Sequence, residues 1–261
     1  MEVRTQQLTR YILPMREGGS LPVLGEADDG FKYVVKLRGA GHGKKALIAE
    51  FAGSLIARAF KFNVPEILLL DLPAVFGITE PDQEVQELMR NSEGLNVGLH
   101  YLSGAATFDP AVNKVDGLTA SKIVWLDAFL TNVDRTRLNP NMMIWNNDMW
   151  LIDNGASFYF HHSWRDPHQA ALDPFAYIKY HVLLPYADRM EEADRLMRQA
   201  ITPRTLSKIV SLIPEEWLEE ENSEITAIDR RKAYETFLLE RLKNTSIFVE
   251  EAVKQKKLLG L

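Results

Sequence analysis

TNVDRTRLNPNMMIWNNDMWLIDNG, residues 131–155, is the stretch from which the rest of this chain is best interpreted. In it Asp134 is followed five residues later by Asn139, and Asp153 comes after two short apolar runs. Phosphoryl transfer from ATP requires a set of this kind: one carboxylate that orients an attacking hydroxyl, and an amide and a second carboxylate that hold Mg²⁺. The interpretation therefore depends on whether these three residues converge.

A β-hairpin is predicted inside this stretch. Its strands are Asn141–Trp145 and Trp150–Asp153, and they are separated by Asn146-Asn147-Asp148, all good turn formers. Residues equidistant from a hairpin turn are neighbours across the two strands, so the outer ends of this hairpin are expected to meet.

The predicted hairpin brings the three polar residues towards one cavity. Asn139 lies just past its mouth, and Asp134 lies in the loop that feeds its first strand. Amide and carboxylate oxygens are hard donors that suit Mg²⁺, so we predict Asn139 and Asp153 as metal ligands and Asp134 as the residue that faces a substrate hydroxyl. Taken singly, each could be a loop or cap former after a helix; the ordered set with a hairpin inside it favours the functional interpretation.

Towards the N-terminus the sequence is rich in predicted strands. Phe31–Leu37 mixes aromatic and β-branched residues, and Glu66–Leu72 is an apolar run between two prolines, so both are predicted strands. Between them, Ala46–Phe60 has apolar residues at helical spacing and predicts a helix. Ser121–Thr131 shows a similar apolar stripe and predicts the helix that leads into the hairpin.

The chain divides into a strand-rich front and a helical back. Residues 91–117 carry four glycines and several turn residues, so they are predicted to be loop with short elements and to mark the boundary. We predict a nucleotide-binding front unit over residues 1–90 and a catalytic, metal-binding and helical unit over residues 91–261. A cleft between two such units is where small ligands prefer to bind.

Composition excludes several classes of function. Of the 261 residues 46% are hydrophobic and 25% are charged, as in an ordinary globular protein. The absence of cysteine excludes disulfides, thiol nucleophiles and Cys-ligated zinc, and fits a cytoplasmic protein. A net charge of −6 disfavours a general nucleic-acid partner. No apolar run reaches the length of a membrane span, and the first ten residues lack a signal-peptide core, so no membrane partner is expected.

The sequence motifs resemble those of the HipA-like kinases, in the protein-kinase-like superfamily. The likeness extends over most of the chain, and the segments that carry it are NVDRTRLN (132–139), LIDNG (151–155), GLNVGLHYL (94–102), IDNGASFYFHHSW (152–164) and, more weakly, IPEEWL (213–218) with RRKAYETFLLERL (230–242). The catalytic loop also shares a D-R-x-x-x-N pattern with phosphatidylinositol 3- and 4-kinases. The resemblance implies an α+β, two-lobed protein-kinase-like fold with a strand-rich N-lobe, a helical C-lobe and a catalytic β-hairpin.

The resemblance also implies a lysine in the N-lobe that binds the nucleotide phosphates. Lys36, on the predicted strand YVVKL, is the candidate, with Lys32 as a weaker rival. Glu50 is the only acid inside the predicted helix Ala46–Phe60 and is the implied partner of Lys36. The alternatives are an exposed strand lysine and a solvated glutamate at the edge of its helix.

Three further segments are candidates for nucleotide contacts on the same grounds. Gly18-Gly19-Ser20 is the candidate phosphate-covering turn, although it is not a G-x-G-x-x-G motif and could be an ordinary turn. The second glycine-rich loop, Gly39–Lys45, carries cations without the spacing of a P-loop. A backbone hinge for adenine is expected within Gln86–Asn91.

Together these features predict an ATP- and Mg²⁺-dependent phosphotransferase. The resemblance implies a Ser or Thr hydroxyl on a protein, or on the chain itself, as the acceptor, and an antitoxin-like partner protein. A pseudokinase is the alternative, because Asn154 stands where the D-F-G motif has Phe and no His-Arg pair precedes Asp134. A lipid or small-molecule kinase is a second alternative. A glycosidase carboxylate pair is disfavoured by the amide between Asp134 and Asp153.

Overall fold

The computed structural model describes residues 2–15, 21–41, 43–74, 76, 80–164, 166–220 and 223–260. Five strands of the N-terminal half form a closed barrel in the order β1-β2-β3-β5-β4. They are β1 (Thr5–Pro14), β2 (Val23–Ala27), β3 (Lys32–Lys36), β4 (Ile67–Leu72) and β5 (Gly94–His100). Most neighbours are antiparallel, and the parallel pair of β1 with β4, in which Thr5 lies opposite Leu69, closes the barrel.

Two helices belong to this half, α1 (Gly43–Ala59) and α2 (Gln83–Arg90). The predicted strands at Phe31–Leu37 and Glu66–Leu72 and the predicted helix at Ala46–Phe60 correspond to β3, β4 and α1. Every residue of α1 from Leu47 to Ala57 is buried. A helix that is buried on all sides must be apolar all round, which explains why its sequence carries so few polar residues.

The remainder is mainly helical, around one small sheet. The elements are β6 (Ala106–Thr107), α3 (Gly117–Leu130), β7 (Met142–Trp145), β8 (Asp148–Leu151), α4 (Pro167–Ala171), α5 (Met190–Ala200), α6 (Pro203–Ser211), α7 (Glu215–Leu218), α8 (Ala227–Lys243) and α9 (Thr245–Leu258), with 3₁₀ turns at Tyr159–His162, Ala176–Tyr180 and Leu184–Tyr186. This is the two-lobed α+β architecture that the sequence predicts. No helix within the described ranges combines the length and apolar character that crossing a bilayer requires.

The predicted hairpin is formed by β7 and β8. Met142 lies opposite Leu151 and Trp145 lies opposite Asp148. Asn146 and Asn147 have φ values of 50° and 66°, which a two-residue type I′ turn requires and which asparagine tolerates well. The turn is therefore one residue shorter than the predicted one, because Asp148 already pairs with Trp145.

Residues 91–117 are mostly loop with short elements, as predicted, but one of those elements is a strand of the barrel. Gly94–His100 forms β5, which pairs with both β3 and β4. Its glycines suggested turns, but a Cβ on Gly98 would lie 2.5 Å from Leu70 Cδ1. Gly98 is thus needed because neighbouring side chains approach the strand closely. The division at residue 90 stays a prediction; β5, which follows it, belongs to the barrel.

A large apolar core joins the two halves. It includes α1 together with α3, α8 and α9, and Trp125 and Phe129 of α3 stack on each other within it. A smaller core fills the barrel around Tyr33, Val35 and Leu70. The end of β3 and the middle of α1 are thereby held against the mouth of the hairpin, where the polar candidate residues lie.

Candidate active site

A cleft of about 290 Å³ lies between the barrel and the hairpin. Three of its lining residues are polar site candidates, Lys36, Asn139 and Asp153. Its walls are otherwise mostly apolar and come mainly from β3, from the end of β5 and the residues after it, from β7, and from the residues after β8. They include Val34, Leu99, Leu102, Met142, Met143 and Ile152. A mostly apolar pocket with a few convergent polar groups is typical of a small-molecule site.

Lys36 lies between two carboxylates in this cleft. Its Nζ is 2.7 Å from Asp153 Oδ2 and 4.0 Å from Glu50 Oε2. The side chain of Asp153 is 35% exposed and faces the cleft, whereas that of Glu50 is 1% exposed and lies behind the lysine. The predicted pair of Lys36 and Glu50 is therefore in contact, with Asp153 as the lysine's closer partner.

Hydrogen bonds fix Glu50 in its buried position. Its Oε1 accepts from Ser54 Oγ at 3.0 Å and its Oε2 accepts from the backbone N–H of Asn154 at 3.1 Å. Burial raises the pKa of Glu50 to about 7, even though Lys36 and these hydrogen bonds favour the ionised form. Since α1 carries Glu50 and the hairpin leads to Asn154, this carboxylate links the helix to the loop after β8.

Lys36 and Asp153, the residues that form this cluster with Glu50, are held in their charged forms. Burial by itself would lower the pKa of Lys36, but the carboxylates of Asp153 and Glu50 outweigh it and raise that pKa above its ordinary value. Burial would likewise raise the pKa of Asp153, and the contact with Lys36 outweighs it, so that the pKa is lowered. A positively charged Lys36 and a negatively charged Asp153 therefore lie together at one side of the cleft.

Asp134 lies next to the lining residue Asn139. Its Oδ2 accepts from Asn139 Nδ2 at 2.7 Å and from Asn141 Nδ2 at 3.2 Å. Burial raises the pKa of Asp134 above its ordinary value, although the two amide donors oppose the rise. A carboxylate with a raised pKa is a stronger base, which suits a residue that faces a substrate hydroxyl.

A buried ion pair holds this loop in place. Arg135, which is 1% exposed, donates from Nε to Asp127 Oδ2 at 2.6 Å, and His181 Nε2 lies 2.8 Å from the same oxygen. His181 Nδ1 accepts from the N–H of Leu183, so the ring hydrogen is on Nε2 and points to Asp127. An arginine next to Asp134 in the sequence could bind phosphate or form a structural salt bridge, and the salt bridge is what the structure contains.

The same guanidinium joins the catalytic loop to both ends of the hairpin. Nη1 donates to the carbonyl oxygens of Asn141 and Ile152, and Nη2 donates to Asn154 Oδ1 at 3.1 Å. Asn154 Nδ2 in turn donates to Ser54 Oγ, the group that also donates to Glu50. One planar side chain therefore connects residues 127, 141, 152 and 154, a task for which arginine's rigid fork is suited.

The backbone at Asp153 also shapes the site. Asp153 has a φ of 52°, in the left-handed region that side chains other than glycine seldom adopt. Gly53 of α1 lies against the next residue, and a Cβ on it would be 2.8 Å from the Cβ of Asn154. The missing side chain at Gly53 therefore lets α1 approach this loop closely.

Of the three further segments expected to contact nucleotide, one lies outside the described residues, and no described residue of the other two, Gly39–Lys45 and Gln86–Asn91, lines the cleft. Gly18, Gly19 and Ser20 lie outside the described residues; Met15 and Pro22, on either side of them, line the cleft. The hinge prediction at Gln86–Asn91 is wrong, because residues 86–90 belong to α2 and their backbone groups serve the helix. The cleft is lined instead by residues 100–102, which are the last residue of β5 and the two residues after it.

Several site residues were not found from the sequence, namely Ser54, Asp127, Asn141, Asn154 and His181. A signal existed for Asp127, the only charged residue in the apolar run of α3 from Ile123 to Leu130. An acid in such a run needs a buried partner. No local signal marks His181 as that partner, since 54 residues separate the two.

The donor set of the cleft fits a magnesium ion. No group of three or more His, Cys, Asp or Glu side chains that could hold a metal occurs within the described part of the chain. Asn139 donates to Asp134 through its amide nitrogen, which leaves its side-chain oxygen available for a metal ion, and Asp153 has a carboxylate on the same cleft. A pair of hard oxygen ligands suits Mg²⁺, which retains waters and binds phosphates, and does not suit zinc.

A strand-rich lobe, a helical lobe and a lysine–glutamate–aspartate cluster between them define a protein-kinase-like fold. The chain belongs to the HipA-like kinase family, whose family model matches residues 8–250. It is therefore a kinase-type phosphotransferase by family, as the sequence predicted.

Solved structures with similar folds are also kinases. A proinflammatory kinase of Helicobacter pylori, CtkA, is 13% identical, with a TM-score of 0.58 over 100% of both chains. The Golgi casein kinase with Mn/ADP bound is 12% identical, with a TM-score of 0.48 over 95% of this chain and 73% of its own. The likeness to CtkA supports the fold alone, at this low identity. No curated protein sequence matches the chain.

Proposed function

We propose that this HipA-like kinase transfers the γ-phosphoryl group of ATP, with Mg²⁺, to a Ser or Thr hydroxyl of a protein or of the chain itself. One observation carries the proposal: Lys36, Asn139 and Asp153 line a single cleft of about 290 Å³, and Asp134 is hydrogen-bonded to Asn139 at its edge. These are the groups that phosphoryl transfer requires, and they come from two separated parts of the sequence, β3 and residues 131–155.

Lys36 would bind the α- and β-phosphates, with Glu50 holding its ammonium group from behind. The contact of 2.7 Å with Asp153 marks where the ammonium lies before nucleotide binds. Residues 100–102 would supply the backbone groups for adenine, because they line the same cleft at the end of β5. Lys36 is thus the residue that aligns the nucleotide with Asp134.

Asn139 and Asp153 would hold Mg²⁺ through their side-chain oxygens. The ion, when bound, neutralises the negative charge that develops on the transferring phosphoryl group. Asp153 retains its charge because the contact with Lys36 lowers its pKa.

Asp134 would accept the proton of the acceptor hydroxyl. As the hydroxyl oxygen forms its bond to the γ-phosphorus, the bond from that phosphorus to the oxygen of ADP breaks, and the acceptor leaves as a phosphate ester. The raised pKa of Asp134 favours this role, because the carboxylate binds the proton more strongly than an ordinary aspartate does.

The acceptor is the part of the proposal that rests on family membership and not on the geometry. A protein hydroxyl, an antitoxin-like partner and a cytoplasmic setting are all proposed on that basis. The mostly apolar walls of the cleft support binding of a small molecule such as a nucleotide, and they do not identify the acceptor.

The test is transfer of ³²P from labelled ATP, alongside nucleotide binding by calorimetry with and without Mg²⁺. The wild type is expected to bind ATP more tightly with Mg²⁺ and to label itself or an added protein. Asp134→Ala is expected to bind nucleotide and lose labelling, whereas Asp153→Asn is expected to lose the effect of Mg²⁺. Asp148→Asn, a change at an exposed aspartate at the start of β8, serves as the matched control.

The alternatives give different results in the same assays. Nucleotide binding without any transfer by the wild type would favour the pseudokinase. Transfer to a lipid or small alcohol and not to protein would favour the second alternative. If ATP does not bind at all, the assignment of the cleft is wrong.

A further inference from the structure

A second cavity, of about 460 Å³, lies where the start of α1 meets the segment between α7 and α8. None of its lining residues lines the cleft that holds Asp153. Its volume is within the range typical of ligand sites. Its chemistry is different from that of the cleft, because cations and tryptophans dominate the wall.

Three cations line this cavity, two of them at an unfavourable place in a helix. Lys44 and Lys45 belong to the first turn of α1, which contains no acidic residue. The first turn is the positive end of the helix dipole, so lysines there are repelled unless an anion is near. Arg230 of α8 adds a third positive charge and its side chain is only 3% exposed.

Two buried N–H groups on the cavity wall have no acceptor. Arg230 uses Nη1 to donate to the carbonyl of Leu218 at 2.7 Å and Nη2 to donate to Ser223 Oγ at 2.6 Å. Its Nε, and Nε1 of Trp164, are buried and without a hydrogen-bond partner among the described residues. A buried donor without an acceptor costs about 1–3 kcal/mol, so two at one cavity point to an acceptor that binds there.

The ring of Trp164 brings the cations together. Lys45 Nζ lies 5.6 Å from the ring centroid, and the guanidinium carbon of Arg230 lies 5.2 Å from the same centroid. Two cations on one ring repel each other, and an anion between them would relieve this.

The carboxylate of Glu220 is an anion at this place, but it lies within hydrogen-bond distance of only one of the two cations. Its Oε2 is 2.7 Å from Arg230 Nη2, but its Oε1 is 3.9 Å from Lys45 Nζ, beyond hydrogen-bond distance. The side chain of Glu220 is 48% exposed. Ion pairs at such exposed positions contribute little, so a stronger anion can displace this carboxylate.

We propose that this cavity binds a phosphate group, as a phosphomonoester or free phosphate dianion. Arg230, Lys45 and Trp164 Nε1 are its ligands, and it replaces Glu220. A phosphate offers more acceptor oxygens and more charge than the single carboxylate it displaces, which suits a site with two unused donors.

The site has a structural link to the cleft. Glu50 lies five residues after Lys45 on α1, about 7.5 Å further along the helix axis. A phosphate that joins Lys45 to Arg230 fixes α1 against the helical lobe and so steadies Glu50 behind Lys36. This effect on activity rests on the proposed function, whereas the binding itself does not.

The experiment is calorimetric titration of the full chain with inorganic phosphate, without nucleotide, against potassium chloride at the same ionic strength. Saturable binding is expected in the wild type. Lys45→Gln is expected to weaken it by about tenfold, the loss of one charge-assisted hydrogen bond. Glu220→Gln is expected to tighten binding, since the competing carboxylate is gone. Lys208→Gln and Glu87→Gln make the same charge changes at exposed positions that do not line this cavity, and are expected to match the wild type.

Misfolding cannot explain opposed effects of the two variants, because a misfolded Glu220→Gln protein would not bind phosphate more tightly. Titration with O-phosphoserine distinguishes the source of the phosphate: tighter binding than inorganic phosphate indicates a phosphorylated side chain, and weaker binding a free anion. Absence of saturable binding in both the wild type and Glu220→Gln would overturn the proposal, as would a Lys45→Gln affinity equal to that of the wild type. Since no nucleotide is used, failure of the kinase proposal would leave these results unaffected.

Discussion

Lys36 Nζ donates to Asp153 Oδ2 at 2.7 Å, and this bond joins the last residue of β3 to the loop after β8 across 117 positions of the sequence. Glu50 lies behind the lysine at 4.0 Å. The ammonium is therefore the only described cation in contact with both carboxylates, and its removal leaves two acids facing each other.

Lys36→Met is accordingly expected to reduce phosphate transfer by at least about 100-fold, the usual cost of removing a preorganised charge from a transition-state site. Nucleotide affinity, measured by calorimetry, is expected to fall in parallel. Lys32→Met is the matched control, because Lys32 lies on the same strand with an exposed side chain. Comparable losses in both variants would show that Lys36 has no special role.

Glu50 is expected to make the folded state less stable as pH rises. Burial raises the pKa of Glu50 to about 7 from 4.5, so the folded protein binds this proton more tightly than the unfolded chain. A raised folded pKa stabilises the fold below the unfolded pKa, and that contribution is lost as pH rises through the folded value. The shift corresponds to at most about 3 kcal/mol in the free energy of unfolding.

The check is urea denaturation of the wild type and Glu50→Gln between about pH 4.5 and pH 7.5. The free energy of unfolding of the wild type should fall over this range, and that of Glu50→Gln should change less. Glu87→Gln, an exposed position on α2, should follow the wild type. Parallel curves for the wild type and Glu50→Gln would contradict the prediction.

The parts of this site that the sequence predicts are those that depend on local contacts. The hairpin needs only a turn and two short runs, so the approach of residues 139–141 to residues 152–154 follows from spacing alone. Lys36 and Glu50 were found because each is the unusual residue in an apolar element, and the resemblance gave them roles. Their contact with each other was a consequence of the implied fold.

The parts that could not be predicted depend on contacts between residues far apart in the sequence, or on glycines whose structural role the sequence does not show. His181 meets Asp127 only because the helical lobe folds back on α3, and no pattern near either residue records this. Gly98 has the same sequence appearance whether it marks a turn or a close contact with Leu70, so β5 and the residues after it were missed. The role of Arg135 could not be decided either, since a loop arginine that binds a ligand and one that supports the fold look the same in the sequence.

Gly53→Ala is expected to disturb the cleft through the contact between α1 and Asn154. Alanine favours a helix over glycine by about 1 kcal/mol, but the new Cβ would lie 2.8 Å from Asn154 Cβ, and overpacking costs about 1–3 kcal/mol. The cost of overpacking outweighs the gain in helix propensity, so Asn154 and with it Asp153 should shift. We expect a small net loss of stability and a larger fractional loss of phosphate transfer, with Gly53→Ser affected more strongly. A Gly53→Ala protein that gains stability and retains full activity would show that the loop accommodates the added Cβ without strain.

Arg135→Lys tests whether the fold of the catalytic loop depends on one guanidinium. Lysine retains the charge opposite Asp127 but cannot also reach Asn141, Ile152 and Asn154, so buried acceptors lose their donors. Weakening a buried ion pair in this way is expected to lower the free energy of unfolding by about 3 kcal/mol, measured by urea denaturation. Arg137→Lys, two residues along at an exposed position, should remain within about 0.5 kcal/mol of the wild type. Equal stability of the two variants would mean that the contacts of Arg135 are replaceable, and that the hairpin and the catalytic loop are held together by packing alone.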